Sequence, residues 1–447
     1  MPKARLQKWS LMIGTLLLLA PGHDHRTQGS ASADTNFAKA ADLAAGAQNA
    51  RTGRLPNVIV ILTDDLGYGD LSCYGSQVAS TPNLDKMAAR GAKFTNFYMP
   101  AAVCSPSRAG LLTGRYPIRT GITQILTPMS QKGLPPEEVT IAEVLHPLGY
   151  KTACIGKWHL GNQAPYLPRE QGFDSYFGIL NSADQEPRLL YRDDTLLETD
   201  PDPTLITQRY TDEAISFIRA SKDQPFFLYL AYAMPHAPQS ASPEWRGKSG
   251  HGIYADVVEE LDASVGKIFA TVKELGIKKN TLLIFTSDNG PVKNGGGSAG
   301  VLRGGKFQLY EGGIRVPLIA RWPHHISRGQ VVDEPAISLD LLPTFAMLAG
   351  GSASTDATID GHDLSDVLLG TGHRAGQDFF FYAGTRLGAM RSGKWKVIFN
   401  GSGTQPSELY DLDSDPSEAT NVIAANQDTA QMLSDKAASF DRQVKGH

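Results

Sequence analysis

Short apolar runs alternate with stretches of helical spacing from residue 57 onward. This alternation is typical of a parallel sheet covered by helices on both faces. Four of the apolar runs have the length and composition of buried strands: 58–62, 152–155, 226–230 and 282–285. Apolar residues at helical spacing predict helices between and after these runs, at 81–90, 141–148, 210–220, 256–275 and 340–348. The pattern therefore predicts an α/β fold built on a large, mostly parallel sheet.

The pattern changes after about residue 375, where shorter strand-like runs follow one another closely. These runs are 379–382, 388–391, 395–399 and 408–412, and a last helix is predicted at 429–440. Hairpins of this kind indicate a small antiparallel sheet packed on the main domain. We place the main, N-terminal domain at 55–365 and the C-terminal α+β subdomain at 366–447.

The N-terminus has the features of a targeting segment. Lys3, Arg5 and Lys8 precede an apolar stretch at 11–20, which is shorter than the ~20 residues needed to span a bilayer. A signal peptide at 1–33, ending near Ala31-Ser32-Ala33, fits better than the alternative of an uncleaved membrane anchor. We therefore expect export to the periplasm or medium, a linker at 34–54, and no stable membrane anchor.

Charge and cysteine content narrow the classes of function. The 447-residue chain has 42 Lys and Arg against 46 Asp and Glu, a net charge of −4 that argues against a nucleic-acid-binding protein. The three cysteines, Cys73, Cys104 and Cys154, are too few for a disulfide scaffold. Cys73 and Cys154 are predicted to be buried thiols, whereas the surroundings of Cys104 indicate a chemical role.

Polar residues follow each of the four predicted strands. Ligands of open α/β sheets bind at the carboxyl ends of the strands, so these residues are expected to meet at one edge. A single polar residue after a strand is more often part of a solvated turn, but four sets together predict a metal-centred catalytic rim. The residues are Asp64, Asp65, Lys157, His159, His236, Asp288 and Asn289.

Cys104 opens the segment Cys104-Ser105-Pro106-Ser107-Arg108. Pro106 suits the first turn of a helix, so Cys104 is predicted just before a helix N-terminus, where anions are favoured. From the residues alone this indicates an activated thiolate. Ser105 and Ser107 are weaker candidates for a nucleophile, because a serine at a helix start more often caps the helix.

The cysteine segment and the Leu-Leu-Thr-Gly-Arg run after it resemble the signature of type I sulfatases, in which the cysteine is oxidised to Cα-formylglycine. Further segments in the same order are similar to arylsulfatase A-like enzymes, from residue 57 to about 350. They are 64–70, 81–85, 156–161, 286–290 and 310–313, with 409–412, 415–416 and 418 in the tail. The resemblance implies an alkaline-phosphatase-like fold: a large mixed, mostly parallel sheet with helices on both faces and a smaller C-terminal antiparallel-sheet subdomain.

The resemblance also implies a metal site. Its ligands would be Asp64, Asp65, Asp288 and Asn289, completed by the formylglycine made from Cys104. Oxygen ligands suit Ca²⁺ or Mg²⁺, and the family favours Ca²⁺. Zinc is less expected, since His159 and His236 have other roles in the family.

In the implied mechanism, hydrated formylglycine attacks sulfur and a covalent sulfated intermediate forms. Arg108 and Lys157 would hold the formylglycine and the metal-side oxygens, and Lys306 would face the sulfate. His236, with Lys306, would protonate the leaving alcohol. His159 would accept the proton of the second hydroxyl, so that the aldehyde reforms and sulfate departs.

The substrate is less well indicated. Phe307-Gln308-Leu309 departs from the family pattern close to Lys306, where the substrate is expected to bind. The candidate contacts of the leaving group are Gln185, Glu186, Arg188, His251 and Asn294. We expect a sulfatase acting on an aryl sulfate or a sulfated carbohydrate, matured by a formylglycine-generating enzyme. The alternatives are a phosphonate or phosphate ester hydrolase of the same fold, and a catalytically silent glycan-binding homologue with unmodified Cys104.

Overall fold

The computed structural model describes residues 54–351, 359–374, 376–401 and 403–446. The predicted signal peptide at 1–33 and all but the last residue of the predicted linker at 34–54 lie outside these ranges. No helix within them combines the length and the apolar character needed to cross a membrane.

The strands and helices are numbered in chain order. The strands are β1 (Asn57–Thr63), β2 (Ala92–Tyr98), β3 (Lys151–Lys157), β4 (Ser175–Ile179), β5 (Leu189–Arg192), β6 (Thr195–Thr199), β7 (Phe226–Ala231), β8 (Thr281–Ser287), β9 (Arg315–Arg321), β10 (Gln330–Val332), β11 (Ala336–Ile337), β12 (Asp378–Ala383), β13 (Arg386–Ser392), β14 (Trp395–Asn400) and β15 (Gln405–Asp411). The helices are α1 (Pro82–Ala89), α2 (Cys104–Thr113), α3 (Pro117–Thr120), α4 (Ile141–Leu145), α5 (Ile206–Ala220), α6 (Ile253–Glu274), α7 (Glu311–Ile314), α8 (Leu341–Leu348), α9 (Ser365–Leu369) and α10 (Gln427–Lys445).

The main sheet has the strand order β10-β2-β9-β8-β1-β7-β3-β4-β5-β6, with β11 paired to β2. The four strands predicted from the apolar runs lie side by side in the order β8-β1-β7-β3, and all are parallel. Strand β9 is antiparallel to both of its neighbours, and β5 and β6 continue the far edge as antiparallel strands. The prediction of a large mixed, mostly parallel sheet is confirmed.

Both faces of this sheet are covered, as strand β1 illustrates. Val58 and Val60 point to one face, into a core that includes side chains of α2, α4 and α8. Ile59 and Ile61 point to the other face, where α1, α5 and α6 pack. Successive side chains of a strand alternate between faces, so a strand buried on both sides is apolar throughout.

One predicted helix is shorter than expected. The pattern predicts a single helix at 141–148, but α4 ends at Leu145 and a 3-10 turn follows from His146 to Leu148. Pro147 has no backbone N–H to donate, so it cannot continue the α-helical hydrogen-bond pattern. The start of α4 is capped by Thr140 and Glu143, whose side chains each accept a bond from the other's backbone N–H.

The C-terminal strands form a separate antiparallel sheet in the order β12-β13-β14-β15, as predicted. Helix α10 packs on it, and the rings of Phe380 and Phe440 stack 3.7 Å apart. Tyr98 and Tyr116 of the main domain belong to the same hydrophobic core, so the two sheets are joined by a continuous apolar contact. The predicted domain boundary after residue 365 lies at the start of α9.

A buried group of charged residues also joins the two sheets. Lys396 Nζ on β14 donates to Glu311 Oε1 of α7 at 2.9 Å and lies 2.8 Å from Glu418 Oε1. The remaining oxygens accept bonds too: Glu311 Oε2 from Tyr98 Oη at 2.5 Å, and Glu418 Oε2 from the Glu311 N–H at 2.7 Å. We call this group the inter-sheet cluster; it comprises Tyr98, Glu311, Arg315, Arg391, Lys396 and Glu418, all buried.

Candidate active site

The carboxyl ends of β1 and β8 bring two acidic pairs together. Beyond the strands, the Asp288 N–H donates to Thr63 O and the Asp64 N–H to Met234 O, both at 3.1 Å. The Asp65 N–H donates to Asp288 Oδ1, also at 3.1 Å. These bonds extend the pairing of adjacent strands into the loops. They hold the side chains that follow each strand at a common edge.

The backbone at this edge adopts uncommon conformations. Asp65 and His159 have φ values of 64° and 60°, in the left-handed region that non-glycine residues rarely occupy. Such conformations cost on the order of 1–3 kcal/mol and persist where the surrounding structure enforces them. Gly156 precedes Lys157 with φ of 112°, and a Cβ there would lie 1.8 Å from Ala231 O, so only glycine fits.

Helix α2 presents Cys104 to the acidic pairs. The helix begins at Cys104 itself, so the prediction that Cys104 lies just before the helix is wrong by one position. Pro106 lies in the first turn, as predicted. Ser107 Oγ donates to Ala101 O at 2.8 Å and Ser105 Oγ accepts from the Leu126 N–H at 3.1 Å, so both hydroxyls have structural partners.

The Cys104 thiol is not an activated thiolate in this structure. Its side chain is buried, and burial raises the pKa of the thiol to about 11 despite the nearby charge of Lys157. The interpretation drawn from the helix start alone is therefore wrong: desolvation, with the charges of Asp64 and Asp288, outweighs the charges of Lys157 and Lys306. All three cysteines are free; Cys154 is buried as predicted, and Cys73 is partly buried.

Arg108 bridges two strand ends. Its Nε and Nη2 donate to Asp288 Oδ2 at 3.0 and 2.8 Å, and its Nη1 donates to Lys157 O at 2.9 Å. Lys157 Nζ donates to Asp64 Oδ2 at 2.5 Å and to Ser182 Oγ at 3.1 Å. Arg108 and Lys157 are fully buried, so each cation neutralises a carboxylate in a low-dielectric environment.

Lys306 supplies the third cation. Its Nζ donates to Asp65 Oδ2 at 2.8 Å. The Lys306 N–H donates to Pro291 O at 2.8 Å, and the next residue, Phe307, donates its N–H to Ala102 O at 2.9 Å. These backbone bonds fix the glycine-rich loop against the segment that leads into α2. Lys306 is thereby placed on the same side of the site as Cys104.

The charges shift the pKa values of two carboxyls in opposite directions. Burial would raise the pKa of Asp64, but the charges of Lys157, His236 and Arg108 together hold it well below its ordinary value. Burial raises the pKa of Asp288 to about 6, and the charge of Asp64 contributes to the increase. Two carboxylates this close repel each other, a repulsion that a bound cation relieves.

Two buried oxygens at the centre of the site have no hydrogen-bond donor among the described residues: Asp64 Oδ1 and Asn289 Oδ1. Buried acceptors are normally satisfied, so unpartnered oxygens indicate room for a ligand. The ligand atoms of Asp64, Cys104 and Asp288 all lie within 4.8 Å of one another. This oxygen-rich set fits a hard divalent cation better than zinc. We call Asp64, Asp65, Cys104, Asp288 and Asn289, with Arg108, Lys157 and Lys306, the catalytic rim.

The two histidines of the site have different hydrogen-bond partners. His159 Nε2 is 2.8 Å from Leu126 O, which can only accept, so Nε2 carries the proton and the buried Nδ1 has no partner. Burial, with the charges of Lys157 and Arg108, lowers the pKa of His159 well below its ordinary value. His236 Nδ1 bonds Ala237 O at 2.6 Å, and its Nε2 points to Asp65 Oδ2 at 3.5 Å.

The predicted substrate contacts separate into two groups. Gln185 and Arg188 line a cavity of about 270 Å³ next to the rim. Gln185 Nε2 donates to Leu126 O, the carbonyl that also binds His159, while Arg188 pairs with Glu186 and Asp200.

His251 and Asn294 are exposed on loops. Neither side chain has a hydrogen bond to a rim residue within the described ranges, so the structure does not bring these two into the site.

Two contacts of the site were not predicted from the sequence. Ser182 accepts a hydrogen bond from Lys157, and Asp184 Oδ1 lies 4.0 Å from His236 Nδ1. Both belong to the segment 181–192, in which only Gln185, Glu186 and Arg188 were predicted to contact the substrate. Only the pairing of β4 with β3 places this segment beside the rim.

Comparison with known proteins relates most of the described chain to one group of enzymes. The family model described as Sulfatase matches residues 56–352, and that of N-sulphoglucosamine sulphohydrolase, C-terminal, matches 305–443. Arylsulfatase A of Homo sapiens is 42% identical over 438 residues, covering 85% of this chain and 85% of that protein. N-acetylgalactosamine-6-sulfatase of Rattus norvegicus is 40% identical over 372 residues, covering 76% of this chain and 71% of that protein.

A solved structure gives the same relationship at the level of the fold. The crystal structure of Ps i-CgsB in complex with k-i-k-neocarrahexaose superposes with a TM-score of 0.80 at 30% identity. The superposition covers 87% of this chain and 93% of that one. The similarity therefore extends through both sheets.

Proposed function

This chain belongs to the sulfatase family and is a sulfuric ester hydrolase; we propose that its nucleophile is made from Cys104 and that it acts on sulfated carbohydrates or aryl sulfates. The observation that carries the proposal is the buried site around Cys104, where Asp64 Oδ1 and Asn289 Oδ1 lack partners. Such a site can bind a cation through its free oxygens and an anion through its lysines and arginine. The comparisons favour sulfate esters over the phosphonate or phosphate alternative.

Asp64, Asp65, Asp288 and Asn289 would hold the metal, with the oxidised side chain of residue 104 as a further ligand. When bound, Ca²⁺, or less favourably Mg²⁺, would neutralise sulfate oxygens, and hydrated formylglycine would provide a hydroxyl nucleophile. In the structure, Cys104 Sγ marks the place of that oxygen. The carboxylates do not need to move far, because strand pairing already holds them together.

The three cations have distinct tasks in this proposal. Arg108 and Lys157 are fully buried and bonded to Asp288 and Asp64, so they fix the ligands of the metal. Lys306 retains slight exposure and is the cation that can turn from Asp65 toward a sulfate oxygen. Burial would lower the pKa of Lys306, but Asp65 raises it above its ordinary value, so the amine stays charged.

Each histidine would carry out one of the two proton transfers. His159 is held neutral, with Nδ1 free of partners, which suits a base that accepts a proton from residue 104. His236 lies at the opening of the site and points Nε2 inward, which suits an acid that protonates the leaving alcohol with Lys306. Asp184, at 4.0 Å, can orient the other nitrogen of His236.

The surroundings of the opening favour a carbohydrate as leaving group. Phe307 follows Lys306 and leaves 63% of its surface exposed, an apolar face against which a sugar or an aryl ring can pack. The adjacent cavity is lined by amide side chains, including Asn162, Asn181 and Gln185, whose donors and acceptors suit hydroxyl groups.

The proposal includes export and maturation. The basic and apolar residues of segment 1–33 support secretion or transfer to the periplasm. Cys104 is only 1% exposed, so a formylglycine-generating enzyme would have to oxidise it before the chain folds.

A substrate panel tests the proposal. Purified protein is assayed with nitrophenyl sulfate, nitrophenyl phosphate and a phenylphosphonate ester, and Lys306→Met is compared with Lys293→Met, an exposed lysine in the same loop. We expect sulfate to be the preferred substrate and Lys306→Met to lose about 10²-fold or more in kcat/KM. Lys293→Met should keep full activity. Phosphonate turnover far above sulfate turnover would refute the proposal.

Maturation is tested by mass spectrometry of the tryptic peptide 94–108 from native-host protein. Oxidation of Cys104 to formylglycine lowers the mass by about 18 Da. Only unmodified thiol in an inactive protein would indicate the silent glycan-binding homologue instead.

A further inference from the structure

A groove at the opposite edge of the sheet is lined by basic residues. Two adjoining cavities of about 220 and 430 Å³ share Arg90, Lys278 and Arg321 in their walls. No lining residue of either cavity is Asp or Glu. This is unexpected in a chain with a net charge of −4. Lys273 also lines the smaller cavity. We call the other six lining cations the basic groove: Lys86, Arg90, Lys278, Lys279, Arg321 and Arg328.

The basic groove is far from the catalytic rim. Arg321 at the end of β9 pairs with Leu283 near the start of β8, whereas Asp288 follows the other end of β8. Five residues of extended strand separate Leu283 from Asp288, about 16 Å. The groove therefore lies outside the proposed sulfate-binding site.

The cations of the groove have no carboxylate partners. Among the described residues, none of the six forms an ion pair within 4.0 Å, although nearby Arg219 at the end of α5 pairs with Glu274 at 2.7 Å. Arg321 Nε is buried without a hydrogen-bond acceptor. Burial lowers the pKa of Arg321, and the charges of Arg90 and Arg328 lower it further. Unneutralised cations that converge in a concavity favour an anionic ligand.

Helix termini explain only part of this arrangement. Cations near the carboxyl ends of helices are favoured by the helix dipole, which accounts for Lys86 and Arg90 at the end of α1. It does not account for Arg321 or Arg328, which lie on β9 and in the loop after it. Arg321 lies over the ring of Phe269, 5.3 Å from its centroid, but the described contacts give neither guanidinium group a carboxylate partner.

We propose that the basic groove binds an anionic polysaccharide chain and holds a polymeric substrate to the enzyme at a second point. The choice of a sulfated or carboxylated glycan rests on the proposed function. The two cavities adjoin along a shared wall of cations, which suits an extended anionic chain better than a single small ion. Nucleic acid is less favoured, because aromatic rings at the described groove already have partners: Trp322 is buried and stacks on His325, and Phe269 lies under Arg321. No exposed large apolar residue lines the groove for insertion into a membrane.

The test uses Cys104→Ala full-length protein, which cannot consume the polymer. Dextran sulfate binding is measured by calorimetry at several salt concentrations, with neutral dextran, duplex DNA and phosphatidylserine vesicles as comparisons. The groove variant carries Arg90→Gln, Lys278→Gln and Arg328→Gln. The control variant loses three ion-paired surface lysines elsewhere, through Lys222→Gln, Lys436→Gln and Lys445→Gln.

We expect the groove variant to bind dextran sulfate about tenfold more weakly and with a shallower salt dependence, because fewer counterions are displaced. The control should change less than about twofold, although it has the same net charge. Equal losses in both variants, or none in either, would overturn the proposal, as would tighter binding to DNA or vesicles.

The same substitutions in protein with Cys104 intact separate this inference from the proposed function. The groove variant should hydrolyse nitrophenyl sulfate as fast as the parent. Loss of that activity would show that the groove is not a separate site. A parent without sulfatase activity would refute the proposed function but leave the binding result valid.

Discussion

The catalytic rim and the inter-sheet cluster both bury acids beside bases, but they differ in how closely the oxygens meet a cation or a donor. In the inter-sheet cluster, all four carboxylate oxygens of Glu311 and Glu418 lie within 2.9 Å of a cation, a hydroxyl or an N–H, although Glu418 Oε1 meets Lys396 Nζ without hydrogen-bond geometry. In the rim, Asp64 Oδ1 has no donor and lies 3.7 Å from Arg108 Nη2, and Asn289 Oδ1 also has no donor. The rim therefore leaves more room for a ligand than the inter-sheet cluster does.

The pKa values do not separate the two sites. In the inter-sheet cluster, burial would raise the pKa of Glu311, but Lys396, Arg315 and Arg391 together lower it to about 2, whereas burial raises the pKa of Glu418. In the rim, the neighbouring cations hold the pKa of Asp64 well below its ordinary value, whereas burial and the charge of Asp64 raise the pKa of Asp288 to about 6. Buried charges and shifted pKa values therefore do not identify a functional site by themselves. The distance from each oxygen to a cation or donor distinguishes the two sites better.

The largest effect is expected from removing the nucleophile. Cys104→Ala should lower kcat on nitrophenyl sulfate by about 10⁴-fold or more, since every later step depends on residue 104. Its melting temperature should change little, because a small buried side chain is lost. Cys154→Ala, which removes another buried thiol, is the control and should stay active. Comparable activity in the two variants would remove Cys104 from the mechanism.

Removing the central cation of the inter-sheet cluster should lower stability and leave activity nearly unchanged, the reverse of the expectation for Cys104. Lys396→Met leaves Glu311 and Glu418 buried without their shared cation and should lower the free energy of unfolding by about 3–5 kcal/mol. Denaturant unfolding measures this, and kcat of the folded fraction should be nearly unchanged. Lys394→Met, which breaks an exposed pair with Asp411, should cost less than about 1 kcal/mol. Similar losses of unfolding free energy in both variants would mean that burial does not increase the cost of breaking these ion pairs.

A buried carboxyl that no cation among the described residues neutralises should make the free energy of unfolding depend on pH. Glu143 accepts the Thr140 N–H, and burial raises its pKa from 4.5 to about 7. The folded state therefore binds the proton more tightly than the unfolded chain. Stability should be greatest below pH 4.5, fall as the pH rises to about 7, and stay level above that pH.

The total loss over this range should be about 3 kcal/mol. Melting curves across this range should show the decline, and Glu143→Gln should flatten it. If the free energy of unfolding rises from pH 4.5 to about 7 in the parent protein but not in Glu143→Gln, the assignment is wrong.

The smallest of these effects should come from metal binding. At a Ca²⁺ concentration 100 times its Kd, the folded protein should gain about 2.7 kcal/mol, seen as a higher melting temperature that EDTA reverses. Asp288→Asn should abolish the gain, whereas Asp411→Asn, an exposed carboxylate of the C-terminal sheet, should retain it. If Ca²⁺ stabilises both variants equally, its site is elsewhere.

Much of the catalytic rim could be predicted because its residues are tied to strands. Asp64 and Asp288 each follow a short run of buried residues, and parallel strands place such positions at one edge. The motif around Cys104 then identified the helix that faces them. The details predicted for Cys104 were less accurate: the helix starts one residue earlier than expected, and burial makes the thiol a weak acid.

Other features could not be predicted from the pattern. Glu311 and Lys396 are 85 positions apart, and although Glu311 lies in the matched segment 310–313, no local pattern relates it to Lys396. Ser182 lies in a stretch without periodicity, and the basic groove combines residues from α1, β9 and the segment after α6. Each depends on which elements become neighbours.

The sequence by itself determined the strands, the helices and the residue types that meet at the catalytic edge, because periodicity and motifs are local properties of the chain. The tertiary structure decided which oxygens remain without partners, which charges neutralise one another and which cations converge in a groove. Burial and charge pairing depend on distances between residues far apart in sequence, and only the packed chain sets those distances.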